Sequence, residues 1–226
     1  LTGIDQVRRA RWRARLAEPA PLSVREQIEL LSEYGVVSPA SRSVGSRDTC
    51  AAAGDELGYP VALKTASPQV AHKTEAGGVL LGIETRDALL RAYDELSGRL
   101  GPLATVARMA PPGVELAVGV VRDPVVGPLV VVGAGGTLVE LLSDRAVALP
   151  PVGREGAARM LARLRVRSLL DGWRGSDPAD MGSVLAAVES VAQIAAELGD
   201  VLGALEVNPL RCSASGALAL DVLVET

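Results

Sequence analysis

Aromatic residues, histidine, cysteine and lysine are all scarce in this chain of 226 residues. Aromatic residues make up 2% of it and phenylalanine is absent, which essentially excludes the stacking surfaces that bind single-stranded nucleic acid. The formal net charge of −4 also argues against a nucleic-acid partner. Cys50 and Cys212 lie too far apart for a metal or redox motif. Buried thiols of this kind are typical of a reducing compartment, so we expect a cytoplasmic protein.

Long apolar runs are missing as well. Hydrophobic residues make up 48% of the chain, which is ample for a buried core. No run approaches the roughly 20 residues that are needed to cross a bilayer, and we expect a globular protein without a membrane partner. The sequence starts at Leu1 rather than at a methionine, which indicates either a piece of a longer polypeptide or a processed N-terminus.

Helical and strand patterns are interleaved along the chain. Spacing and end signals predict helices over residues 24–34, 48–57 and 86–96, and a long helix that begins at Pro178 after the cap Asp177 and ends at Gly199. Runs rich in β-branched residues predict strands over residues 61–64, 78–83, 114–121, 129–132, 146–149, 204–207 and 218–224. Because short turns join several neighbouring strands, the pattern favours an α+β fold with mixed or antiparallel sheets over a doubly wound parallel sheet.

A stretch rich in proline and glycine at residues 109–113 is typical of a break between two lobes, with a cleft where they meet. We predict an N-terminal extension or linker over residues 1–21, a first lobe over residues 22–110 and a second lobe over residues 111–226. The extension carries several arginines between Arg8 and Arg15. They indicate either a solvated helix face or a contact to another part of a larger protein.

The only histidine, His72, and the only two lysines, Lys64 and Lys73, stand close together just before the pair Gly77 and Gly78. A lysine at the end of a strand is a mobile charge that reaches phosphate oxygens. Paired glycines let backbone N–H groups approach an anion. The segment therefore predicts an anion site, although a surface lysine beside ordinary turns has the same pattern.

A second glycine-rich turn covers residues 133–136. It is not a dinucleotide fingerprint, because Leu138 stands where the third glycine is needed. The phosphate loop G-x-x-x-x-G-K-[ST] is absent from the chain. Gly135 and Gly136 thus remain as a second place where the backbone can approach an anion.

The C-terminal segment carries oxygen ligands in a strand-turn-strand pattern. Glu206 and Asn208 are two positions apart, so on a strand they point to one face, and a turn at residues 213–216 brings Asp221 back beside them. Carboxylate and carboxamide oxygens of this kind suit Mg²⁺, which also takes waters and nucleotide phosphates. A solvated hairpin edge is the alternative interpretation.

In this order, the segments resemble the ATP-grasp domain of ADP-forming acyl-CoA synthetases, the acetate–CoA ligases. The likeness runs from about residue 22 to the end of the chain. It rests on the residues already named and on the segments 113-GVELAVGVVRDPVVGP-128, 133-GAGGTLVELLSD-144 and 205-LEVNPL-210, followed by Asp221. Succinyl-CoA synthetases share the E-x-N-P-L ending but differ in the earlier segments. The resemblance implies an ATP-grasp fold of two lobes with nucleotide between them.

The resemblance also implies which residues bind the cofactors, ATP or ADP and Mg²⁺. Lys64 looks like the lysine that contacts the nucleotide phosphates, and Glu115 like the acidic residue that holds the ribose hydroxyls. Asn208 and Asp221 match the magnesium ligands. Further cofactor-binding candidates are Lys73, Gly77, Gly78, Gly135 and Gly136.

Two residues match catalytic positions of such enzymes, which couple ATP to acyl-CoA through a phosphohistidine on a swinging loop. His72 fits a histidine that receives or passes on the phosphoryl group, and Glu206 fits a glutamate that faces the arriving phosphohistidine. The reaction implied is acyl-CoA + ADP + phosphate ⇌ carboxylate + CoA + ATP. No segment here resembles the CoA-binding domain or the swinging loop. We therefore expect a partner domain or α subunit that supplies both and brings the acyl-CoA and the carboxylic acid.

A second function from another class stays open at this point. The chain departs from the family pattern at Arg108, where a glutamate usually precedes the methionine, and at Ser143 and Ala148, where basic residues are usual. Arg108 and Ala148 favour a degenerate regulatory module that senses nucleotide or acyl-CoA in a larger protein such as an acetyltransferase. The retained lysine, histidine and C-terminal oxygen ligands favour the ligase.

Overall fold

The computed structural model describes residues 5–68, 70, 73, 75–136 and 143–226. Within these ranges the helices are α1 (Gln6–Leu16), α2 (Val24–Glu33), α3 (Arg47–Leu57), α4 (Arg86–Leu100), α5 (Arg154–Ala162), α6 (Arg167–Leu170) and α7 (Met181–Leu198). The strands are β1 (Ser41–Val44), β2 (Val61–Thr65), β3 (Val79–Ile83), β4 (Ala104–Arg108), β5 (Val114–Asp123), β6 (Gly127–Ala134), β7 (Arg145–Ala148), β8 (Ala204–Ser213), β9 (Gly216–Ala219) and β10 (Val222–Glu225).

The chain forms two compact units. Unit 1 joins Pro111–Thr226 to the N-terminal residues through Ser38, and unit 2 is Pro39–Ala110. The boundary after Ala110 falls inside the predicted break at residues 109–113. The N-terminal division differs from the predicted lobes, because residues 22–38 belong to unit 1. Leu30 and Leu31 of α2 are fully buried in the unit 1 core, and α2 packs against β10.

Unit 2 is a four-stranded sheet in the order β1-β4-β2-β3, and every pairing is antiparallel. The helices α3 and α4 begin where Ser46 and Thr85 accept hydrogen bonds from backbone N–H groups of the first turn. Leu89 and Leu96 of α4 are fully buried in a hydrophobic core that belongs to this unit alone. Unit 2 therefore positions the end of β2, which carries Lys64, on a core of its own.

Unit 1 is built on a six-stranded antiparallel sheet in the order β10-β8-β5-β6-β7, with β9 paired to β8. The helix α7 packs on β5, β6 and β9. By length and composition it is apolar enough to cross a membrane, but half of it is buried within the protein, as is typical of a core helix. The antiparallel sheets with flanking helices confirm the predicted α+β fold.

The structure corrects the predicted start of α7. The helix begins at Met181 and not at Pro178, because Asp180 is the residue whose side chain accepts hydrogen bonds from Gly182 N and Ser183 N. Its end at Gly199 is as predicted. The run at residues 218–224 is two strands, β9 and β10, with Leu220 and Asp221 between them.

The arginines of α1 pair with acidic side chains of unit 1. Arg8 contacts Glu197 of α7 at 3.3 Å, and Arg13 pairs with Asp200 just beyond that helix. Trp12 and Leu16 are buried in the same core. The predicted extension over residues 1–21 thus contains a helix that is part of unit 1, held by buried side chains and by ion pairs.

Candidate functional site

The last strands of unit 1 bring the C-terminal oxygen ligands together. Asn208 Nδ2 donates a hydrogen bond to Glu206 Oε1 at 3.0 Å, so these side chains lie on one face, as their spacing predicts. Asn208 N donates to the main-chain oxygen of Asp221 at 3.2 Å. The turn after β8 therefore returns Asp221 to a position beside Asn208.

An irregularity in β8 decides which side chains share this face. Leu116 pairs with Leu210 and Val118 with Val207, so Asn208 and Pro209 together stand opposite the single residue Ala117. The extra residue shifts the alternation of the strand by one position. Leu205, Val207, Leu210 and Cys212 are buried, whereas Glu206, Asn208 and Arg211 are partly or fully exposed. Arg211 thereby joins the face that carries Glu206 and Asn208.

The second glycine turn is tied to the same face. Gly136 N donates a hydrogen bond to Asn208 Oδ1 at 2.9 Å, and Gly135 N donates to the main-chain oxygen of Glu115 at 2.8 Å. Gly136 has a φ of +62°, which disfavours any residue with a Cβ. A Cβ at Gly135 would lie 2.3 Å from the carbonyl carbon of Leu116. Both positions therefore require glycine.

Glu115 and Arg211 form an ion pair across β5 and β8. They are directly opposite in the strand register, and Arg211 Nη2 donates to Glu115 Oε1. The side chains are 28% and 20% exposed, so the pair is mostly shielded from water. Arg211 is absent from the residues that the sequence predicted. The bulge brings it to this face, and simple strand alternation would have pointed it into the core.

In unit 2, the end of β2 brings the first predicted glycine pair to the strand that carries Lys64. Thr65 N donates to Gly78 O at 2.8 Å, and Gly78 N donates to Lys73 O at 2.7 Å. A Cβ at Gly78 would lie 2.6 Å from the side chain of Thr65, so only glycine fits there. Lys64, Lys73 and Gly78 thus lie in one local arrangement. His72 lies outside the described residues.

Gly77 adopts a φ of +62° in the same loop. Arg99 of α4 donates a hydrogen bond from Nη2 to Ala76 O at 2.8 Å, next to this glycine. Like Arg211, Arg99 is a cation that the sequence analysis did not predict near the candidate site. It lies 23 positions from Ala76, so no pattern within a short stretch of sequence indicates the contact.

The oxygen atoms of unit 1 fit the chemistry of Mg²⁺. Asn208 offers a carboxamide oxygen that retains a second lone pair beside its bond from Gly136 N, and Glu206 and Asp221 offer carboxylates. The described residues contain no group of three or more His, Cys, Asp or Glu side chains able to hold a metal without other ligands. A Mg²⁺ ion held by these oxygens would need waters or phosphate oxygens to complete its coordination.

Comparison with known proteins identifies the family. The model of the ATP-grasp domain matches residues 13–225. The β subunit of acetate–CoA ligase (ADP-forming) I from Pyrococcus furiosus is 33% identical over 91% of this chain and 91% of its own. The acetate–CoA ligase (ADP-forming) I of Archaeoglobus fulgidus is 31% identical over 87% of this chain but only 30% of its own length.

Solved structures of a Ca. Korarchaeum cryptofilum acetyl-coenzyme A synthetase 1 have the same architecture. Its complex with coenzyme A and Ca-AMPCP has a TM-score of 0.87 and 29% identity over 97% of this chain and 99% of the other. Its complex with coenzyme A and Mg-AMPPCP has a TM-score of 0.80 and 31% identity over 90% and 92%. The fold, the position of the family match and these likenesses agree, and this chain belongs to the ATP-grasp family.

Proposed function

We propose that this chain is the nucleotide-binding part of an ADP-forming acyl-CoA synthetase, an acid–thiol ligase. The complete enzyme would interconvert acyl-CoA, ADP and phosphate with carboxylate, CoA and ATP. The ATP-grasp family and the similarity to acetate–CoA ligase β subunits along nearly the whole chain support this function over a regulatory module.

The observation that carries the proposal is the hydrogen-bonded cluster of unit 1. It joins Glu206, Asn208, the main chain of Asp221 and the turn at Gly135 and Gly136. Phosphoryl transfer depends mainly on positioning and on cations that neutralise phosphate charge, and a magnesium–nucleotide needs fixed oxygen ligands. The cluster provides such ligands, and the N–H groups of its turn hold them in place by bonding to Glu115 O and Asn208 Oδ1.

Each residue has a role in this proposal. Asn208 and Asp221 would hold Mg²⁺, which would neutralise charge on the phosphate oxygens. Lys64, assisted by Lys73 and the glycine turns, would bind the phosphates, and Glu115 would accept hydrogen bonds from the ribose. The remaining proposed roles are phosphoryl acceptor for His72 and stabiliser of a charged imidazole for Glu206.

The proposal includes a partner. The Pyrococcus furiosus relative is named as a β subunit, and the Archaeoglobus fulgidus relative is more than three times as long as the matched region. An α subunit or a further domain would accordingly supply the CoA site, the phosphohistidine, the acyl-CoA and the carboxylic acid. We further propose that the assembly works in the cytoplasm.

Calorimetric titration of ADP and ATP with and without Mg²⁺ tests the nucleotide site. We expect Mg²⁺-dependent dissociation constants in the micromolar to millimolar range. Lys64→Ala should weaken binding by about 10- to 100-fold, since a charge-assisted hydrogen bond contributes about 1.5–3 kcal/mol. Asn208→Ala should remove most of the Mg²⁺ dependence.

Arg42→Ala is the matched control, because Arg42 is a cation of unit 2 that pairs with Glu56 on the surface. Its affinity for nucleotide should equal that of the wild type. Absence of binding by the wild-type protein would overturn the proposal. If nucleotide binds but the complete assembly shows no CoA-dependent turnover of any short carboxylic acid, the regulatory module gains support instead.

A further inference from the structure

Arg211 occupies a position that the proposed roles do not use. Its guanidinium pairs with Glu115 on the neighbouring strand, and its side chain is 20% exposed. Among the described residues, its buried Nε has no hydrogen-bond partner. Glu115 is the one anionic partner of this mostly shielded cation among the described residues, so each of the two side chains holds the other in place.

Glu115 contacts the Gly135–Gly136 turn through both its main chain and its side chain. The main-chain oxygen accepts the hydrogen bond from Gly135 N. The second carboxylate oxygen, Oε2, lies so close to Gly136 that a Cβ there would be 1.7 Å away. The carboxylate that Arg211 holds therefore forms one wall of the turn.

The Gly135–Gly136 turn also contacts the candidate metal ligand, Asn208. Gly136 N donates to Asn208 Oδ1, and Asn208 Nδ2 donates to Glu206. A continuous series of contacts thus runs from Arg211 through Glu115 and Gly136 to Asn208. We name the ion pair at its start the Arg211–Glu115 brace.

We propose that Arg211 is a positioning residue: through the brace it fixes the Gly135–Gly136 turn and, through the turn, the orientation of the Asn208 carboxamide. Its relevance to magnesium and nucleotide rests on the proposed function. The effect on the turn does not depend on it. Without Arg211, the Glu115 carboxylate would be left partly buried without its cation, which favours rotation toward water and loosens the turn.

Hydrogen exchange of the Gly136 amide, measured by NMR in the ligand-free protein, tests the brace directly. Arg211→Met keeps most of the unbranched apolar stem and removes the charged guanidinium, and it should speed exchange of Gly136 N–H by about 10-fold, because the wall of the turn is released. Arg211→Lys keeps the charge and should restore much of the protection. Glu115→Gln weakens the brace from the other strand and should act in the same direction as Arg211→Met.

Arg122→Met is the matched control, since Arg122 lies on the same strand as Glu115 and donates to a main-chain oxygen, that of Asp200. It should leave the Gly136 amide unchanged. Wild-type exchange rates in folded Arg211→Met and Glu115→Gln would overturn the inference, as would an equal change in Arg122→Met. If Arg211→Met does not fold, Glu115→Gln decides.

A titration of ADP at several Mg²⁺ concentrations links the brace to the proposed function. Arg211→Met should weaken Mg²⁺-dependent binding by about 10-fold and Arg211→Lys by less, because a looser carboxamide is a poorer ligand. Unchanged affinity beside faster Gly136 exchange would contradict the link to the metal site. If the wild-type protein binds no nucleotide, the proposed function fails, whereas the amide exchange still decides whether the brace exists.

Discussion

At the scale of single residues, Glu197 is a buried carboxylate with several side-chain partners. It is 2% exposed and accepts hydrogen bonds from Tyr34 at 2.9 Å, Gln193 at 2.8 Å and Arg8 at 3.3 Å. Burial raises the pKa of the Tyr34 hydroxyl, and the neighbouring Glu197 carboxylate raises it further. The hydroxyl therefore stays protonated and acts as a donor at neutral pH. This network explains how the arginine-rich helix α1 is fixed to α7.

Tyr34→Phe should lower the free energy of unfolding by about 1.5–3 kcal/mol, because it removes a hydrogen bond to a buried charged group. Urea denaturation measures the change. In a Glu197→Gln background the same substitution should have a smaller effect, about 0.5–1.5 kcal/mol, since the acceptor is then neutral. Equal losses in both backgrounds would contradict the role given to the carboxylate.

Residue chemistry alone predicted part of the candidate site. Glu206 and Asn208 share a face as their spacing indicates, because strand alternation holds between these two positions. Arg211 was not predicted. The bulge at Asn208 and Pro209 shifts the alternation of inward and outward side chains, so Arg211 lies on the opposite face from the one that regular alternation indicates. Strand register and bulges depend on the neighbouring strand, and a single sequence does not contain them in readable form.

At the scale of elements, the start of α2 combines a local and a distant signal. Ser23 and Glu26 form a capping box, which their spacing of three residues makes readable from the sequence. Glu26 also pairs with Arg15 of α1 at 2.7 Å, which the sequence does not reveal. Hydrogen bonds from Arg15, and then from Ser23, lower the pKa of Glu26 to about 2. The cap therefore joins the first two helices.

The low pKa of Glu26 predicts a pH dependence of stability. Because the pKa is lowered from 4.5 to about 2 on folding, the stabilisation is fully present above pH 4.5 and is lost as the pH falls from there toward 2. Glu26→Gln should flatten the pH dependence of the free energy of unfolding in this window. Urea denaturation at a series of pH values measures it.

Glu29→Gln is the control for that series, since it makes the same charge change at an exposed position of the same helix. It should keep the wild-type slope below pH 4.5. A slope in Glu26→Gln that matches the wild type would contradict the assignment.

Element types were more predictable than their ends. Every run rich in β-branched residues contains a strand, because such side chains pack well on a half-buried sheet. The strands β1 and β4 were not predicted. β1 is short and polar, with the sequence Ser41-Arg42-Ser43-Val44, and it is a strand because it pairs with β4. Long-range pairing of this kind overrides local preference.

At the scale of the whole molecule, the two units have separate hydrophobic cores. One core cluster contains residues of unit 1 only and the other contains residues of unit 2 only. The break between the predicted lobes was readable from proline and glycine at residues 109–113. The sequence did not reveal that α2 belongs to unit 1, because its partner β10 lies at the opposite end of the chain.

Separate cores predict that a cavity in one unit destabilises mainly that unit. Leu89 in unit 2 and Leu198 in unit 1 are each fully buried. Leu89→Ala and Leu198→Ala should each cost about 2–5 kcal/mol in their own unit. Hydrogen exchange read by mass spectrometry should show faster exchange in peptides of Pro39–Ala110 for the first variant and in peptides of Pro111–Thr226 for the second. Equal acceleration of both sets by either variant would indicate one cooperative unit.

The contact between α2 and β10 sets an order for events on the ribosome. Unit 2 is continuous in sequence, so it can complete its core once residue 110 has left the exit tunnel. The helix α2 emerges earlier but finds its strand only when residues 222–225 are made, after the whole of unit 2. Nascent chains of this protein therefore carry a folded unit 2 while the apolar face of α2 is still exposed to solvent. In that interval a chaperone would protect this face from aggregation.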